Sequence, residues 1–214
     1  MLFRSPVRGG DVVDDELIGI VKDRIAKNDR PVMWMTPAFA EPWMSTNGGQ
    51  HPAFLDDPLL ADTYSKEDIQ RFWGDPLKNM KQEEIEKAKK IFDGLAKNGM
   101  KLRSAGVRVV MGTDTGQTRF FIGYSTHMDL EGMVAMGMTP SEAIVAATKD
   151  AAEIGHFNTG LVAAGRQADF IVLDANPLES ISNTRKINKV FLRGQEVPRA
   201  EMRAKWQSQF KGAH

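Results

Sequence analysis

The sequence predicts an α/β fold, because segments with helical periodicity alternate with short apolar runs along its 214 residues. A helix predicted over residues 14–28 precedes a strand over 30–37, and a helix over 83–106 leads directly into a strand over 107–111. This repeated helix-to-strand order is typical of a parallel sheet with helices packed on its faces.

The two predicted helices each carry an apolar face. In the first helix, Asp14 is placed to cap the amino terminus. Its apolar face consists of Leu17, Ile18, Val21 and Ile25. In the second helix, the apolar residues at helical spacing are Ile85, Ala88, Phe92, Leu95 and Leu102. Both faces are expected to pack against the sheet.

Residues 38–75 form an unusually long connection that is rich in proline, glycine, tryptophan and aspartate. Connections in α/β units usually take about two to six residues. Two interpretations stay open for this segment. It forms a wall or lid at one edge of the sheet, or it is a partly mobile insertion packed by Trp34, Trp43, Phe54 and Trp73.

A further helix is predicted to start at Thr139. Threonine can cap the helix, Pro140 fits its first turn, and Glu142 can complete a capping box with Thr139. The helix is expected to stop at Gly155. Its buried residues are predicted to be Ile144, Ala147, Ala151 and Ile154.

The sequence GTDTG at residues 112–116 directly follows the strand predicted over 107–111 and places one carboxylate, Asp114, at the strand's carboxyl end. In α/β barrels this end of the strands carries the catalytic groups. A carboxylate held there can ligate a metal or take a proton from a bound water. The alternative is an ordinary turn, which glycine, threonine and aspartate also favour.

Composition excludes several other classes of function. The 28 basic and 28 acidic residues balance and are interspersed, so no basic face indicates nucleic acid or an anionic membrane. Cysteine is absent, which leaves histidine, aspartate and glutamate as metal ligands. The amino terminus has no apolar core of a secretion signal, and no run approaches the roughly 20 apolar residues of a membrane span. A soluble, cytoplasmic protein is expected.

An ordered series of motifs adds to these local patterns. GTDTG at 112–116 is followed by GMTPSEA at 137–143 and by GRQADFIVLD at 165–174. In this order the series resembles the carboxyl-terminal part of the amidohydrolase superfamily, particularly its imidazolonepropionase-like and prolidase-like members. The resemblance covers about residues 14–197 and is strongest from residue 105 onward.

The resemblance implies the last part of a (β/α)8 TIM barrel, with the sixth strand at 2–4, the seventh at 32–36 and the eighth at 107–111. A complete barrel usually needs about 250 residues, so the chain is expected to be incomplete. Three regions are predicted: barrel over 1–158, strands of a small β-domain over 159–197 (at 168–173 and 189–193), and a helix and tail over 198–214.

The resemblance also implies a metal centre that this sequence supplies only in part. Family members take ligands from a His-x-His pair on the first strand, a carboxylated lysine or glutamate on the fourth, histidines on the fifth and sixth, and the aspartate on the eighth. No His-x-His occurs here, and only Asp114 matches. We therefore expect no metal in this chain alone, although complete members use zinc or a similar divalent ion. With the missing half supplied, Asp114 is expected to bind that ion and accept the proton of the nucleophilic water.

Other side chains are weaker candidates. His127 lies just past the eighth strand, where the resemblance implies a contact to substrate, although a histidine near a helix start is more often a capping or surface residue. Thr113 and Thr115 are predicted to orient Asp114 by hydrogen bonding. His51 and His156 are expected to be structural or solvated. Packing rather than cofactor contact is expected for Met128, Met133, Met136 and Met138.

Two hypotheses of function follow. The first is one piece of an enzyme that hydrolyses carbon–nitrogen bonds in a small amide-type substrate once a complementary amino-terminal half is present. The second is a truncated, non-catalytic homologue that serves as a binding or assembly module. In either case, the unpaired edges of a partial barrel are expected to drive association with the complementary half or with a second copy.

Overall fold

The structure is a computed structural model that describes residues 2–3, 13–28, 33–35, 40–113 and 121–210. Its helices are α1 (Asp15–Ala26), α2 (Ala40–Ser45), α3 (Pro58–Ala61), α4 (Lys66–Ile69), α5 (Asp75–Lys78), α6 (Gln82–Ser104), α7 (Tyr124–Ala135), α8 (Pro140–Ala147), α9 (Lys149–Ile154) and α10 (Arg199–Phe210). Its strands are β1 (Leu2–Phe3), β2 (Met33–Met35), β3 (Arg108–Val110), β4 (Phe170–Leu173), β5 (Ile187–Leu192) and β6 (Gln195–Glu196). Two 3-10 turns, Ala53–Asp56 and Ile181–Arg185, and a π-helical turn, Gln70–Gly74, complete the elements.

The strands form two sheets of different kinds. β1, β2 and β3 are parallel, in that order, with Trp34 opposite Val109 in the register of the second pair. β4, β5 and β6 are antiparallel, and β6 is a short strand that the sequence did not predict. The α/β class is therefore confirmed, and the strands expected at 30–37 and 107–111 are neighbours in one parallel sheet.

The first core lies between the parallel sheet and the helices α1, α6, α7 and α8. Its buried residues are Val13, Val21, Phe92, Leu95, Leu102, Val107, Val109, Leu130, Met133, Met136, Met138, Ala143, Ala146 and Ile181. α1 begins as predicted, because the Asp14 carboxylate accepts a hydrogen bond from the Leu17 N–H at 2.8 Å. Val21 is fully buried, whereas Ile25 at the end of the predicted face is 37% exposed.

From residue 40 onward, the long connection predicted over 38–75 is a compact set of short helices and turns. Trp43, Phe54 and Trp73 pack within it as expected, and its role as a wall or lid stays a prediction. These helices enclose a second core made of Met44, Phe54, Leu55, Leu60, Ile69, Trp73, Leu77, Phe121, Tyr124 and Met128. The indole of Trp73 and the ring of Phe121 lie 4.3 Å apart between centroids. Helices of four residues are too short to show a clear hydrophobic period, so the sequence could not reveal them.

The helix predicted from Thr139 to Gly155 is two helices. Its capping box is confirmed, because Thr139 Oγ1 accepts from the Glu142 N–H at 3.3 Å and the Glu142 carboxylate accepts from the Thr139 N–H at 2.8 Å. The helix then breaks at Thr148, whose backbone has φ −120° and ψ −82°. Ile144 and Ala147 of the predicted face are partly buried and pack against the first core, while the fully buried residues of α8 and α9 are Ala143, Ala146 and Ala152. These small side chains let α8 and α9 approach β3 closely.

The final helix α10 packs on the helical segment near α3 rather than extending freely. The Trp206 Nε1–H donates to the Thr63 carbonyl at 3.1 Å, and Arg203 forms an ion pair with Asp62. The helix predicted within 198–214 is thus found at Arg199–Phe210. Of the helices that the structure describes, none has the length and apolar character needed to cross a membrane.

Candidate functional site

The predicted catalytic segment begins where β3 ends. β3 leads through Met111 into Gly112 and Thr113, and Thr113 is half-buried. Because β3 runs parallel to β2, these residues leave the sheet at the carboxyl edge of both strands. Asp114 and Thr115 come next in the sequence and lie outside the described residues, so their predicted roles, and that of Thr113 in orienting Asp114, stay predictions.

His127 lies in the first two turns of α7 and makes a specific contact with a distant part of the chain. Its Nδ1 is 3.0 Å from the Thr184 hydroxyl. That hydroxyl is 2.8 Å from the Ile181 carbonyl, to which it donates. A threonine hydroxyl has a single proton, so both contacts are hydrogen bonds when His127 donates from Nδ1.

His127 is neutral near neutral pH. Burial lowers the pKa of its imidazole to about 4, and the positive charge of Arg185 acts in the same direction, while Asp57 opposes both. The Tyr124 ring meets the imidazole edge-on, with centroids 6.2 Å apart. A neutral ring with Nδ1 protonated leaves Nε2 as a hydrogen-bond acceptor.

Arg185 is the centre of a polar group that we call the Arg185 cluster, made of Asp57, Tyr124, Glu131 and Arg185. The Arg185 Nε lies 2.8 Å from an Asp57 carboxylate oxygen, and its guanidinium also pairs with Glu131. The Tyr124 hydroxyl donates to the same Asp57 oxygen at 3.0 Å. The three charged side chains are largely buried, at 20%, 17% and 12% exposure for Arg185, Asp57 and Glu131.

The Arg185 cluster joins three segments that are far apart in the sequence. Asp57 precedes α3, Tyr124 and Glu131 belong to α7, and Arg185 ends the Ile181–Arg185 turn. Burial, with the neighbouring Asp57 carboxylate, raises the pKa of the Tyr124 hydroxyl despite the opposing charge of Arg185, so the group stays protonated and acts as a donor. The cluster thus fixes the turn that carries Thr184 against the helix that carries His127.

Sequence reasoning missed Asp57, Tyr124, Thr184 and Arg185. One signal was available on α7, where Tyr124, His127 and Glu131 recur at positions i, i+3 and i+7 and so share one face of the helix. A polar face on a helix that is otherwise mainly apolar indicates a buried polar contact. The partner of that face, however, is 54 residues from Glu131, and no local pattern identifies it.

The remaining predicted residues behave as expected. His51 is exposed and pairs with Asp56 at 2.8 Å, and His156 is also exposed. The four methionines are buried in the two cores, at positions 128, 133, 136 and 138, which confirms packing.

The described residues do not fit a metal ion. Within the part of the chain that the structure describes, no group of three histidine, cysteine, aspartate or glutamate side chains lies close enough together to hold one. Catalytic zinc sites need about three protein ligands. A metal at the carboxyl edge of the sheet would require ligands beyond this set, in addition to Asp114.

The protonation of His127 is expected to make the protein less stable in acid. Its pKa is about 4 when folded and 6.5 as an unperturbed group, so the unfolded state binds more protons between these values. The contribution of the neutral His127 to the free energy of unfolding is therefore fully present above about pH 6.5 and is lost as pH falls toward about 4. This loss is at most about 3 kcal/mol. Urea denaturation of the wild type across this window measures the loss.

One variant makes this test specific. His127→Gln is expected to flatten the pH dependence of stability between about pH 6.5 and 4.5. Glu142 affects stability in a lower pH range. Hydrogen bonds from Thr139 and Arg103 lower the pKa of its carboxyl group to about 2. The stability that these contacts contribute is present above the ordinary pKa of 4.5 and is lost as pH falls below it. Equal slopes for the wild type and His127→Gln would refute the assignment of a neutral buried imidazole.

Comparison with known proteins identifies the family. The sequence pattern of the amidohydrolase family matches residues 78–197, which is more than half of the chain. The chain belongs to the amidohydrolase family. The matched segment contains β3, the GTDTG sequence, all of α7 and the Ile181–Arg185 turn. The resemblance drawn from the motifs is therefore confirmed.

Individual amidohydrolases are similar over parts of the chain. An ochratoxinase of Aspergillus niger is 43% identical over 81 residues, which is 36% of this chain and 16% of that protein. A solved structure from Bifidobacterium longum, assigned as a prolidase, is 25% identical with a TM-score of 0.59 and covers 94% of this chain. The structure of the Aspergillus niger ochratoxinase has a TM-score of 0.55 at 23% identity over 88% of this chain, a likeness of fold alone.

The chain matches only part of these amidohydrolases. It covers 45% of the Bifidobacterium longum protein and 36% of the solved ochratoxinase. The arrangement of helices and strands is thus shared with a portion of larger proteins.

Proposed function

We propose that this chain is the part of an amidohydrolase that carries Asp114, and that the completed enzyme hydrolyses a carbon–nitrogen bond in a small amide-type substrate. Asp114 accepts the proton of the attacking water. The observation that carries the proposal is the parallel strand β3, which ends at Val110 and leads through Met111 into Gly112 and Thr113, directly before Asp114 in the sequence. His127 contacts the substrate, and Thr113 and Thr115 orient Asp114.

The parallel sheet supports this assignment through its direction. β1, β2 and β3 all run the same way, so groups that follow their last residues gather at one edge. α7 follows β3 in the chain, and helices that follow parallel strands begin at that same edge. Gly112, Thr113 and the first turns of α7, which carry His127, therefore belong to one end of the β–α unit, and Asp114 directly follows Thr113 in the sequence. Among the relatives, one is named an ochratoxinase and another is assigned as a prolidase.

We also propose that the isolated chain is inactive and gains activity only with a complementary segment. The sequence has four histidines, at 51, 127, 156 and 214, and no His-x-His pair. In the family resemblance the divalent metal is held by ligands of which only Asp114 has a counterpart here. As part of the same proposal, the completed enzyme is a barrel whose last strands are β1, β2 and β3.

The 214-residue chain, purified alone, is expected to retain no stoichiometric zinc, iron or manganese after dialysis and to hydrolyse no dipeptide, N-acyl amino acid or lactam. Elemental analysis and a substrate panel measure both. About one metal ion per chain that survives dialysis and is lost in Asp114→Ala would overturn the inactivity. Hydrolysis after co-expression with the amino-terminal half of a prolidase-like relative would support the enzyme, whereas assembly without hydrolysis would favour a non-catalytic binding module.

Association is expected from the sheet edges. In the part of the chain that the structure describes, β1 and β3 each pair with β2 alone, and β4 pairs with β5 alone. β4 also leaves apolar side chains exposed, with Ile171 at 47% and Val172 at 40%. Unpaired strands with apolar surface favour further pairing. We propose that the complementary half or a second copy covers them.

Light scattering of the purified chain tests this expectation. Dimers or larger assemblies, and binding of a hydrophobic dye, are the expected results. A stable monomer that unfolds cooperatively and binds no dye would contradict the proposal that unpaired strand edges drive association.

A further inference from the structure

We propose that Thr184 is a positioning residue, which holds the His127 imidazole with its proton on Nδ1 so that Nε2 accepts a hydrogen bond from an N–H or O–H group of the ligand. The inference rests on the proposed function, in which His127 contacts the substrate. It adds the kind of group that His127 recognises and the residue that sets this preference.

The Thr184 hydroxyl has one proton and two neighbouring polar groups. It lies 2.8 Å from the Ile181 carbonyl, an acceptor only, and 3.0 Å from His127 Nδ1. Both contacts are hydrogen bonds only if the hydroxyl donates to the carbonyl and accepts from the imidazole. A hydrogen bond at one ring nitrogen sets the role of the other. Nε2 therefore has a lone pair and no proton.

Neighbouring contacts keep the Thr184–His127 hydrogen bond in a fixed geometry. Thr184 is buried, at 5% exposure, and the next residue, Arg185, pairs with Asp57 and Glu131. Glu131 lies one turn beyond His127 on α7, so the ion pair and the Thr184–His127 hydrogen bond connect the same turn to the same helix. Two contacts between the same elements restrict rotation of the imidazole, which a single hydrogen bond would allow.

The charge of the His127 imidazole decides which ligand groups it can bind. Arg185, Asp57, Tyr124 and Glu131 belong to the cluster beside His127, and burial with the nearby guanidinium lowers the pKa of the imidazole to about 4. A neutral imidazole makes no ion pair with a carboxylate or phosphate. The amide N–H or hydroxyl of an amide-type substrate matches the lone pair on Nε2 instead. His127 thus favours a donor group and does not recognise an anion.

The protonation of His127 is measurable without activity. Long-range ¹H–¹⁵N correlation spectra of the full chain, labelled with ¹⁵N-histidine at neutral pH, report the proton on each ring nitrogen, and His127→Gln identifies the signal among four histidines. The wild type is expected to show a protonated Nδ1 and an unprotonated Nε2. Thr184→Val, which removes the hydroxyl at similar volume, is expected to shift the population toward protonated Nε2, and Thr184→Ser is expected to keep the wild-type pattern.

Each outcome decides the inference. A wild type with protonated Nε2 would overturn it, even if Thr184→Val does not fold. An unchanged His127 signal in a folded Thr184→Val would also overturn it, because a residue that only packs alters stability and not the tautomer.

Kinetics of the completed enzyme give a separate readout. Thr184→Val is expected to raise KM by about fivefold with a smaller change in kcat, and Thr184→Ser is expected to restore KM. A changed tautomer with an unchanged KM would overturn the ligand contact. If the completed enzyme hydrolyses nothing, the proposed function fails, while the spectra still decide whether Thr184 positions His127.

Discussion

Asp114→Asn is expected to lower kcat of the completed enzyme by about 100- to 10,000-fold while the two segments still assemble. The asparagine amide has nearly the same size as the carboxylate, but it cannot accept the proton of the attacking water. The substrate contact proposed for His127 is not altered, so KM is expected to change little. Steady-state kinetics and size-exclusion chromatography of the co-expressed segments measure activity and assembly separately.

A matched control separates the role of Asp114 from a general effect of charge. Asp93 is an exposed aspartate on α6, and Asp93→Asn is expected to leave kcat within about twofold of the wild type. If complementation restores activity equally well with Asp114→Asn, the proposed role of this carboxylate is wrong.

Arg185→Met is expected to lower the free energy of unfolding by about 3 kcal/mol. Methionine keeps much of the side chain's apolar length but removes the positive charge between Asp57 and Glu131, which are 17% and 12% exposed. Two largely buried carboxylates then lose their counter-charge, and breaking a buried pair in this way typically costs about 3–5 kcal/mol. Urea denaturation at neutral pH, followed by circular dichroism, measures the change.

The exposed ion pair of Lys27 with Asp23 on α1 provides the comparison. These side chains are 67% and 58% exposed, so Lys27→Met is expected to change stability by less than about 1 kcal/mol. Adding Asp57→Asn and Glu131→Gln to Arg185→Met is expected to recover part of the loss, because no unpaired carboxylate remains. A loss in Arg185→Met no larger than in Lys27→Met would show that the Arg185 cluster does not stabilise the fold.

Features that depend on neighbouring residues were predictable from the sequence. The start of α1 at Asp14 and the start of α8 at Thr139 follow from side chains that accept hydrogen bonds from N–H groups three residues ahead. β2 and β3 follow from short apolar runs, and the motif order indicated the amidohydrolase family. Asp114 was proposed in the same way, since a carboxylate directly after a buried strand is a local pattern, and its role stays a prediction.

Features that depend on how distant segments of the chain pack together were not predictable. The buried face of α8 and α9 is set by the break at Thr148 and by the close approach to β3, so Ala143, Ala146 and Ala152 are buried more completely than Ile144 and Ile154. The helical segment over 40–78 gains its structure from a core that it shares with α7. Neither feature has a signal in the residues next to it.

The sequence by itself determined the family, the α/β class, the positions of the long helices α1 and α6 and of most strands, and the candidate Asp114. Only the tertiary structure decided that Thr184 hydrogen-bonds to His127 and that Arg185 pairs with Asp57 and Glu131. The physical reason is the separation along the sequence over which each interaction acts. Caps and hydrophobic periods act over a few residues, whereas these contacts join side chains at least 54 residues apart whose proximity depends on how the helices and sheets pack.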